Sequence, residues 1–368
     1  MSWRAYGLLW LLGLGMMGLI ASQQPYPGYM DAAYYFAGGQ QLAQGKGFSE
    51  PYIWTYLDDP PALPHPSHGY WMPLASILSA LGMWLTGHQS FGAGRLVFLL
   101  LAAFIPPLTA HLAFTLTGRR EVVWMAGFFS LFSGYYASFL PTTDNYSPYM
   151  VLGALFFLLF PVRWFSSQQK GRLFQLGMLA GLLNLARSDG LIWLGVASLA
   201  PGGGEHRSGR FWRFFYGWLM VVAGFLLIMG PWYVRNWQIY GAPFSPATRR
   251  ALWLRFYDET FVYPPHLLTP QHLLASGWSE MARVRLWALW MNAQTAFAAQ
   301  GEILLFPLIL IGLWKNRRDG RIQAGSLAWV GLYLAHSLLF PFAGVRGGFF
   351  SWGHSLTAAL VWAGGYRV

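Results

Sequence analysis

The sequence contains ten apolar stretches that are long enough, or nearly so, to cross a lipid bilayer, and these constrain the fold more than any other feature. A membrane-spanning helix needs about 17–25 mostly apolar residues. The candidate spans are residues 5–22, 95–118, 122–140, 146–162, 173–187, 189–203, 212–233, 302–314, 322–341 and 350–366. Of the 368 residues, 55% are hydrophobic and 10% are charged, against roughly 25% charged in soluble domains. We therefore predict an all-α polytopic membrane protein, with one domain over residues 1–368 and about ten transmembrane helices.

A further uncharged stretch, residues 70–87, decides the topology. If it does not cross and the N-terminus is inside, one side of the membrane receives thirteen Lys and Arg residues against three acids. That side then has a net charge of +10, whereas the other side nets about zero, as the positive-inside rule requires. A crossing at 70–87 would move Arg119 and Arg120 outside. We therefore expect an interfacial or re-entrant helix at 70–87, and a retained first span at 5–22 rather than a cleaved signal peptide.

This topology also explains the net charge of +11, which by itself suggests a nucleic-acid partner. Inner loops and anionic lipid headgroups account for the basic excess, so nucleic acid is excluded as the partner. Two large outer segments remain, residues 23–94 with interfacial helices and residues 234–301. The chain has no cysteine, so disulfides and thiolate metal sites are excluded. We expect any active site to face the outside of the membrane.

Two acidic residues in predicted outer loops are candidate catalytic groups, and each has a structural alternative. Asp31, in PYPGYMDAAYYF after the first span, fits an N-cap of the next helix or an oriented general base, and the two roles are compatible. Asp144, in LPTTDNYSPYM, fits an Asx-type turn residue between two prolines or a second acid of the same site. Topology puts both residues on one face of the membrane, which strengthens the functional interpretation.

Basic residues at outer positions are candidate contacts for a phosphate group. Arg235, in GPWYVRNWQIYG, fits either a membrane-interface anchor or a bidentate phosphate ligand. Arg346, in FAGVRGGFF, has the same two interpretations. His65 and His68, in DDPPALPHPSHGYW, are candidate phosphate or substrate contacts, because their spacing matches no standard set of metal ligands.

The segment LARSDGL joins two short predicted spans on the outer side. Arg187 and Asp189 lie two residues apart in this hairpin. We expect them to form a local ion pair, with Gly190 as the turn residue.

The order and spacing of these segments resemble the GT-C superfamily of membrane glycosyltransferases. The resemblance is to the branch of protein O-mannosyltransferases and lipid A aminoarabinose transferases, glycosyltransferase family 39. YMDAAYYFAGGQQLAQGKGF is similar to the family's Asp-bearing segment after span one, and HPSHGYW to its Lys-Pro-Pro-Leu-Gly-Tyr-Trp segment. LARSDGL resembles Thr-Arg-Pro-Glu-Gly-Leu, and GPWYVRNWQIYGAPF resembles Pro-Trp-x-x-Arg-Asn-x-x-x-x-Gly-x-Pro. The likeness extends from about residue 5 to residue 350.

The resemblance implies a GT-C fold and an inverting transfer of a sugar from a polyprenyl-phosphate donor. The acceptor would be a lipid, glycan or protein at the outer face of a bacterial or archaeal plasma membrane. It makes Asp31 the catalytic carboxylate and Asp144 the second acid. His65 stands where the family has a phosphate-contacting Lys, and no Glu follows Asp31, as it often does in this branch.

Other functions stay open at this point. A divalent metal with unknown ligands is the one cofactor that the motifs leave open. A lipid-linked sugar transporter or flippase would need charged residues along a path through the spans, whereas the charges of this sequence collect in loops. A noncatalytic membrane assembly protein is the third class.

Overall fold

A computed structural model describes residues 3–132, 134–163, 169–201, 210–300, 303 and 306–341. The helices of the first half are α1 (Trp3–Ser22), α2 (Met30–Ala43), α3 (Leu74–Thr86), α4 (Phe91–Gly94), α5 (Leu96–Thr117), α6 (Arg120–Leu131) and α7 (Tyr146–Leu159). Those of the second half are α8 (Lys170–Ala186), α9 (Leu191–Ala197), α10 (Arg210–Tyr240), α11 (Pro246–Arg250), α12 (Pro270–Ala275), α13 (Gly277–Thr295), α14 (Phe306–Lys315) and α15 (Gly320–Leu334). Two short antiparallel strands, β1 (Ser49–Glu50) and β2 (His65–Pro66), pair with Glu50 opposite His65. The described part of the chain is thus predominantly helical, consistent with the expected all-α membrane protein.

Four helical stretches among the described residues are long and apolar enough to cross a membrane. They are Trp3–Ser22, Phe91–Thr117, Phe211–Tyr240 and Gly320–Leu339, which coincide with four of the ten predicted spans. The count of about ten is not confirmed, because α6, α7, α8, α9 and α14 have 17 residues or fewer. Residues 350–366, the last predicted span, lie outside the described residues.

Proline explains one of the short helices. At the end of α7, Phe160 has an extended backbone with ψ of 140°, and Pro161 follows it. A proline disfavours helical geometry at the preceding residue, so the apolar run continues while the helix stops.

The stretch at 70–87 forms α3, which has 13 residues. At 1.5 Å per residue it is about 20 Å long, less than the roughly 30 Å of a bilayer's hydrocarbon core. The assignment of 70–87 as a helix that does not cross stays a prediction. The helix packs closely against α2, where a Cβ on Gly38 would lie 2.5 Å from Ser76 Oγ and one on Gly39 2.6 Å from Ser79 Oγ. The glycine pair therefore lets the two helices meet.

The helical body is held by a core that runs through α5, α7, α8 and α10. Small residues bring α8 and α10 into backbone contact, since a Cβ on Gly177 would lie 2.0 Å from the Val221 carbonyl oxygen. On the other helix, a Cβ on Gly224 would lie 2.1 Å from the carbonyl oxygen of Phe174. Such close approach is typical of helices that associate in membranes.

The two predicted outer segments pack against each other. The Asp58 Oδ1 accepts a hydrogen bond from the Ala247 N–H at 3.0 Å, and Arg250 Nη1 donates to the Leu57 carbonyl at 2.5 Å. Leu57 is fully buried in a small apolar cluster with Ala247 and Leu254. The first segment (23–94) therefore has a second layer above it, built from the residues that follow α10.

Candidate active site

Asp31 lies in the first turn of α2, and its carboxylate is not the helix cap. The N-cap residue is Tyr29, whose backbone is extended and whose side chain makes no capping hydrogen bond. The N-cap interpretation of Asp31 is therefore wrong, although its charge still favours the positive end of the helix. Among the described residues, none donates a hydrogen bond to the Asp31 carboxylate. This leaves the carboxylate oriented by its helix yet unpaired.

Asp144 lies beside the start of α2 and is 5% exposed. Its Oδ2 accepts a hydrogen bond from Tyr29 Oη at 2.9 Å, and its Oδ1 accepts one from the Asn145 N–H at 2.6 Å. The same loop donates from Thr143 Oγ1 to the Ala32 carbonyl at 2.7 Å. Asn145 Nδ2 donates to Tyr35 Oη at 2.7 Å. These bonds fasten the loop of Asp144 along the face of α2 that carries Asp31.

The two carboxyl groups interact electrostatically. Burial and the neighbouring Asp144 raise the pKa of Asp31 from 3.8 to about 7, and the positive charge of Arg187 opposes this rise. Burial also raises the pKa of Asp144, whereas its bonds from Asn145 and Tyr29 and the charge of Arg187 oppose the rise. The negative charge of Asp144 opposes ionisation of Asp31, so the two carboxyl groups titrate together. A carboxyl group with a pKa near 7 is matched to proton transfer at neutral pH.

Arg187 follows α8 and belongs to the same cluster. Its Nη2 lies 3.4 Å from Asp189 Oδ2, so the predicted local ion pair is present. Asp189 Oδ2 also lies 3.2 Å from Nε2 of His336, which comes from the end of the last described helical stretch. The charge of Arg187 acts on Asp31 and on Asp144. Sequence reasoning did not include Arg187 in the site, although an arginine within an apolar hairpin was a usable signal.

His68 is 3% exposed and is fixed by its neighbours. Ser67 Oγ is hydrogen-bonded to its Nδ1 at 2.6 Å and Ser76 Oγ to its Nε2 at 2.9 Å. Burial, with a smaller contribution from Arg235, lowers the pKa of His68 to about 3, so the ring is neutral. Both ring nitrogens are thus engaged within the fold, which favours a structural role.

His65 belongs to strand β2 and is 7% exposed. Its Nε2 lies 3.0 Å from the Tyr52 carbonyl oxygen and 3.4 Å from Glu50 Oε2. Its Nδ1 lies 3.1 Å from the carbonyl oxygen of Pro66. The predicted phosphate-binding role of His65 stays a prediction, and the described contacts connect the ring to its own loop.

Arg235 lies near the end of α10 and holds the first segment in place. Its Nη2 donates to the Ser67 carbonyl at 2.8 Å, and its Nη1 donates to Asn236 Oδ1 at 3.1 Å. The guanidinium lies 4.5 Å from the centre of the Trp232 ring. These contacts favour an anchoring role over the phosphate contact that was predicted. Arg346, the other predicted arginine, lies outside the described residues.

The candidate site thus consists of two carboxyl groups and one arginine whose charge acts on both. In the part of the chain that the structure describes, no group of three or more His, Cys, Asp or Glu side chains is arranged to hold a metal ion. Two oxygen-bearing carboxylates can still serve Mg²⁺, which commonly takes one or two protein ligands and completes its shell with water and phosphate.

No protein-family model and no curated protein matches this sequence. The fold is similar to solved structures of the oligosaccharyltransferase of Archaeoglobus fulgidus. For its complex with Zn and sulfate the TM-score is 0.55, with 14% sequence identity over 97% of this chain and 48% of that chain. For the form tethered with an acceptor peptide containing the NVT sequon, the TM-score is 0.51, with 15% identity over 98% of this chain and 49% of that chain.

The apo form of the same enzyme gives a TM-score of 0.50 and 12% identity, over 98% of this chain and 51% of that chain. This chain therefore spans about half the length of the oligosaccharyltransferase. At these identities the likeness establishes a shared fold, and that fold is of the GT-C type expected from the sequence motifs. The O-mannosyltransferase and aminoarabinose transferase branch is not confirmed.

Proposed function

We propose that this chain is a membrane glycosyltransferase that moves a sugar from a polyprenyl-phosphate donor to an acceptor nucleophile, with inversion at the anomeric carbon. The observation that carries the proposal is the hydrogen bonding that fastens the loop of Asp144 to the start of α2, the helix that carries Asp31. A GT-C fold supports it, because an enzyme with that fold transfers glycans.

Asp31 acts as the general base in this proposal. It takes the proton of the acceptor hydroxyl while the acceptor oxygen bonds to the anomeric carbon. The bond from that carbon to the phosphate oxygen breaks, and polyprenyl phosphate leaves with the electron pair. The pKa of about 7 lets Asp31 be ionised before the reaction and protonated after it. Asp144 keeps this pKa high and is itself held by Tyr29 and Asn145.

Arg187 is the cation that faces the leaving phosphate in this proposal. Positive charge aimed at a departing phosphate stabilises the transition state more than the ground state. The sequence-based candidates for this contact were His65, His68, Arg235 and Arg346. Arg187 is also ion-paired, with Asp189, but its charge acts on both Asp31 and Asp144, and this makes it the better-supported contact among the described residues.

A divalent cation is compatible with the site. If one is used, Asp31 and Asp144 are the residues that would hold it, and it would offset the excess of negative charge that a phosphate donor meets there.

The proposed site lies in loops next to apolar helices, which suits a lipid-borne donor and an acceptor that arrives from water. We propose that the active site faces the outside of a bacterial or archaeal plasma membrane and that the N-terminus is inside. The acceptor class is a lipid, a glycan or a protein. An acceptor peptide is bound by the Archaeoglobus enzyme, which makes protein a reasonable first acceptor to test.

The deciding experiment incubates the purified full chain in lipid nanodiscs with a panel of polyprenyl-phosphate sugars and measures release of polyprenyl phosphate. We expect release from at least one donor, and its loss in Asp31→Asn. Asp59→Asn is the matched control, because Asp59 lies in the same segment with its side chain 50% exposed. Movement of a labelled donor across vesicle membranes, without release, would instead support a transporter.

A further inference from the structure

His336 is a buried ionisable residue near the end of a long apolar helix. It is 5% exposed and lies in the stretch Gly320–Leu339, which is long and apolar enough to cross a bilayer. Ionisable side chains are rare in such helices, and they usually mark a functional site and have a defined partner. The partner of His336 is Asp189, whose Oδ2 lies 3.2 Å from its Nε2. The two residues are 147 positions apart in sequence, so the contact depends on the tertiary fold.

The backbone at His336 departs from a regular α-helix. Residues Ala335–Leu339 form a π-helical turn, and such turns within α-helices occur frequently at functional sites. A second helix holds this turn, because Asn292 Nδ2 of α13 donates to Ser337 Oγ at 2.9 Å and both side chains are buried. The turn that presents His336 is therefore fastened to the helix beside it.

Asp189 connects His336 to Arg187. The same carboxylate oxygen, Oδ2, lies 3.4 Å from Nε and 3.4 Å from Nη2 of Arg187. Both contacts are longer than the roughly 2.7–3.2 Å of a usual N–H···O hydrogen bond, so each holds the carboxylate only loosely. An ionised carboxylate accepts hydrogen bonds and does not donate them, so Nε2 of His336 donates to Asp189. His336 therefore fixes the carboxylate against which the guanidinium is oriented.

The hairpin of Arg187 is bonded to the helix that follows Asp144. Trp193 Nε1, in α9, donates to Tyr149 Oη, in α7, at 3.1 Å, and both side chains are buried. Helix α7 begins just after Asp144, and α9 begins just after the hairpin. This bond brings the starts of the two helices together, in agreement with the influence of the charge of Arg187 on the acid pair.

We propose that His336 is a positioning residue of the donor site: through its hydrogen bond to Asp189, it holds the guanidinium of Arg187 toward the leaving phosphate. This inference rests on the proposed function, because it explains how the phosphate contact of that site is oriented. His336 itself does not touch the donor, and its effect passes through Asp189. An arginine that is already oriented loses less conformational freedom when it binds an anion, so it binds the anion more tightly.

The test is a binding measurement that needs no turnover. The full chain in lipid nanodiscs is titrated with farnesyl phosphate and, in parallel, with farnesol, which has the same tail without the phosphate. His336→Leu removes the hydrogen bond to Asp189, and so does His336→Asn, whose amide is too short to replace Nε2. His336→Gln keeps an N–H donor near the position of Nε2. His272→Leu is the matched control, because His272 pairs with a different carboxylate, that of Glu259, at 2.9 Å.

We expect His336→Leu and His336→Asn to weaken farnesyl phosphate binding roughly two- to tenfold, the range for one hydrogen bond, with farnesol binding at its parental value. His336→Gln should restore most of the loss, and His272→Leu should bind both ligands like the parent. In an Arg187→Gln background, His336→Leu should cause no further loss, since its effect passes through Arg187.

Equal losses for the two ligands, or no loss in either His336→Leu or His336→Asn, would overturn the role of His336 and leave the proposed transferase intact. Failure of His336→Gln to restore binding, or a full effect of His336→Leu in the Arg187→Gln background, would do the same. If the parent protein binds farnesyl phosphate no better than farnesol, the proposed function fails and the role of His336 fails with it.

Discussion

Replacing Asp31 by Asn should make the protein more stable at alkaline pH and nearly inactive. The folded protein raises the pKa of Asp31 from 3.8 to about 7. At about 1.4 kcal/mol per pH unit, ionising Asp31 in the fold is unfavourable by roughly 4 kcal/mol as an upper bound. The penalty is absent below pH 3.8, grows as pH rises, and is complete above pH 7. An amide cannot ionise, so the variant escapes this penalty.

The gain is smaller than the full penalty, because an enclosed amide also needs hydrogen-bond partners. Leaving a polar group unsatisfied costs about 1–3 kcal/mol, so the net stabilisation at pH 8 should be on the order of 1–3 kcal/mol. It should be smaller at pH 5, where less of the penalty has developed. If Asp31 is the general base, sugar transfer should fall by about 10²–10⁴-fold. Asp31→Asn is therefore expected to raise the free energy of unfolding at pH 8 and to lower the rate of sugar transfer.

The assay pairs thermal unfolding in nanodiscs at pH 5 and pH 8 with initial rates of polyprenyl phosphate release. Asp59→Asn serves as control, since Asp59 is exposed and its ion pair with Arg250 at 3.7 Å is worth about 0–1 kcal/mol. The reasoning is refuted if Asp31→Asn keeps parental turnover, or if its stability relative to the parent is the same at both pH values.

The remaining predictions concern the cluster, its anchor, the topology and the metal. Asp144→Asn should move the acid limb of the kcat/KM profile to lower pH, because the charge of Asp144 helps to raise the pKa of Asp31. Arg187→Gln should move the same limb to higher pH, because the charge of Arg187 lowers that pKa. Arg187→Gln should also raise the KM for the donor, since the proposed phosphate contact is lost. Rate profiles from pH 5 to 9 check both signs. Arg235→Ala should lower the melting temperature, because the bond of Arg235 to the first segment is lost. The folded variant should keep a KM for the donor within about twofold of the parent. A large rise in KM at unchanged stability would instead support a phosphate contact by Arg235. Since the chain has no native cysteine, single cysteines near 60 and 260 should label from outside and those near 120, 168, 207 and 318 from inside. Outside labelling at 120 would contradict the non-crossing assignment of 70–87. If a divalent cation is used, EDTA should abolish transfer and Mg²⁺ or Mn²⁺ should restore it, whereas unchanged rates after EDTA would exclude that requirement.

The membrane-protein character of the fold was predictable, because it depends on how many apolar residues occur in a row. Four predicted spans coincide with long apolar helices. A hydropathy pattern does not reveal where a helix stops within an apolar run. At Phe160, for example, the following proline ends α7 before the predicted end of that span. The predicted count of spans was therefore less secure than the predicted class.

The acid pair was predictable in part. Position along the chain singled out Asp31 and Asp144, yet the contacts that bring them together depend on tertiary packing. Tyr29 and Asp144 are 115 residues apart in sequence. The arginines show the same limit, since Arg235 is engaged by the carbonyl of Ser67, 168 residues away. The residue type alone suggests that an arginine can bind phosphate. Only the fold shows that the guanidinium of Arg235 is already hydrogen-bonded to a backbone carbonyl.

Asp31 and Asp144 have different surroundings, and this difference supports a different role for each in the proposed mechanism. Asp144 receives two hydrogen bonds, from Tyr29 and Asn145, which favour its ionised form. Asp31 receives none from the described residues and lies in the field of that charge. A proton shared by the pair therefore resides on Asp31, while Asp144 holds the negative charge. Two carboxyl groups whose environments separate their pKa values are suited to different tasks, so in the proposed mechanism Asp31 exchanges the proton and Asp144 sets the pH at which it does so.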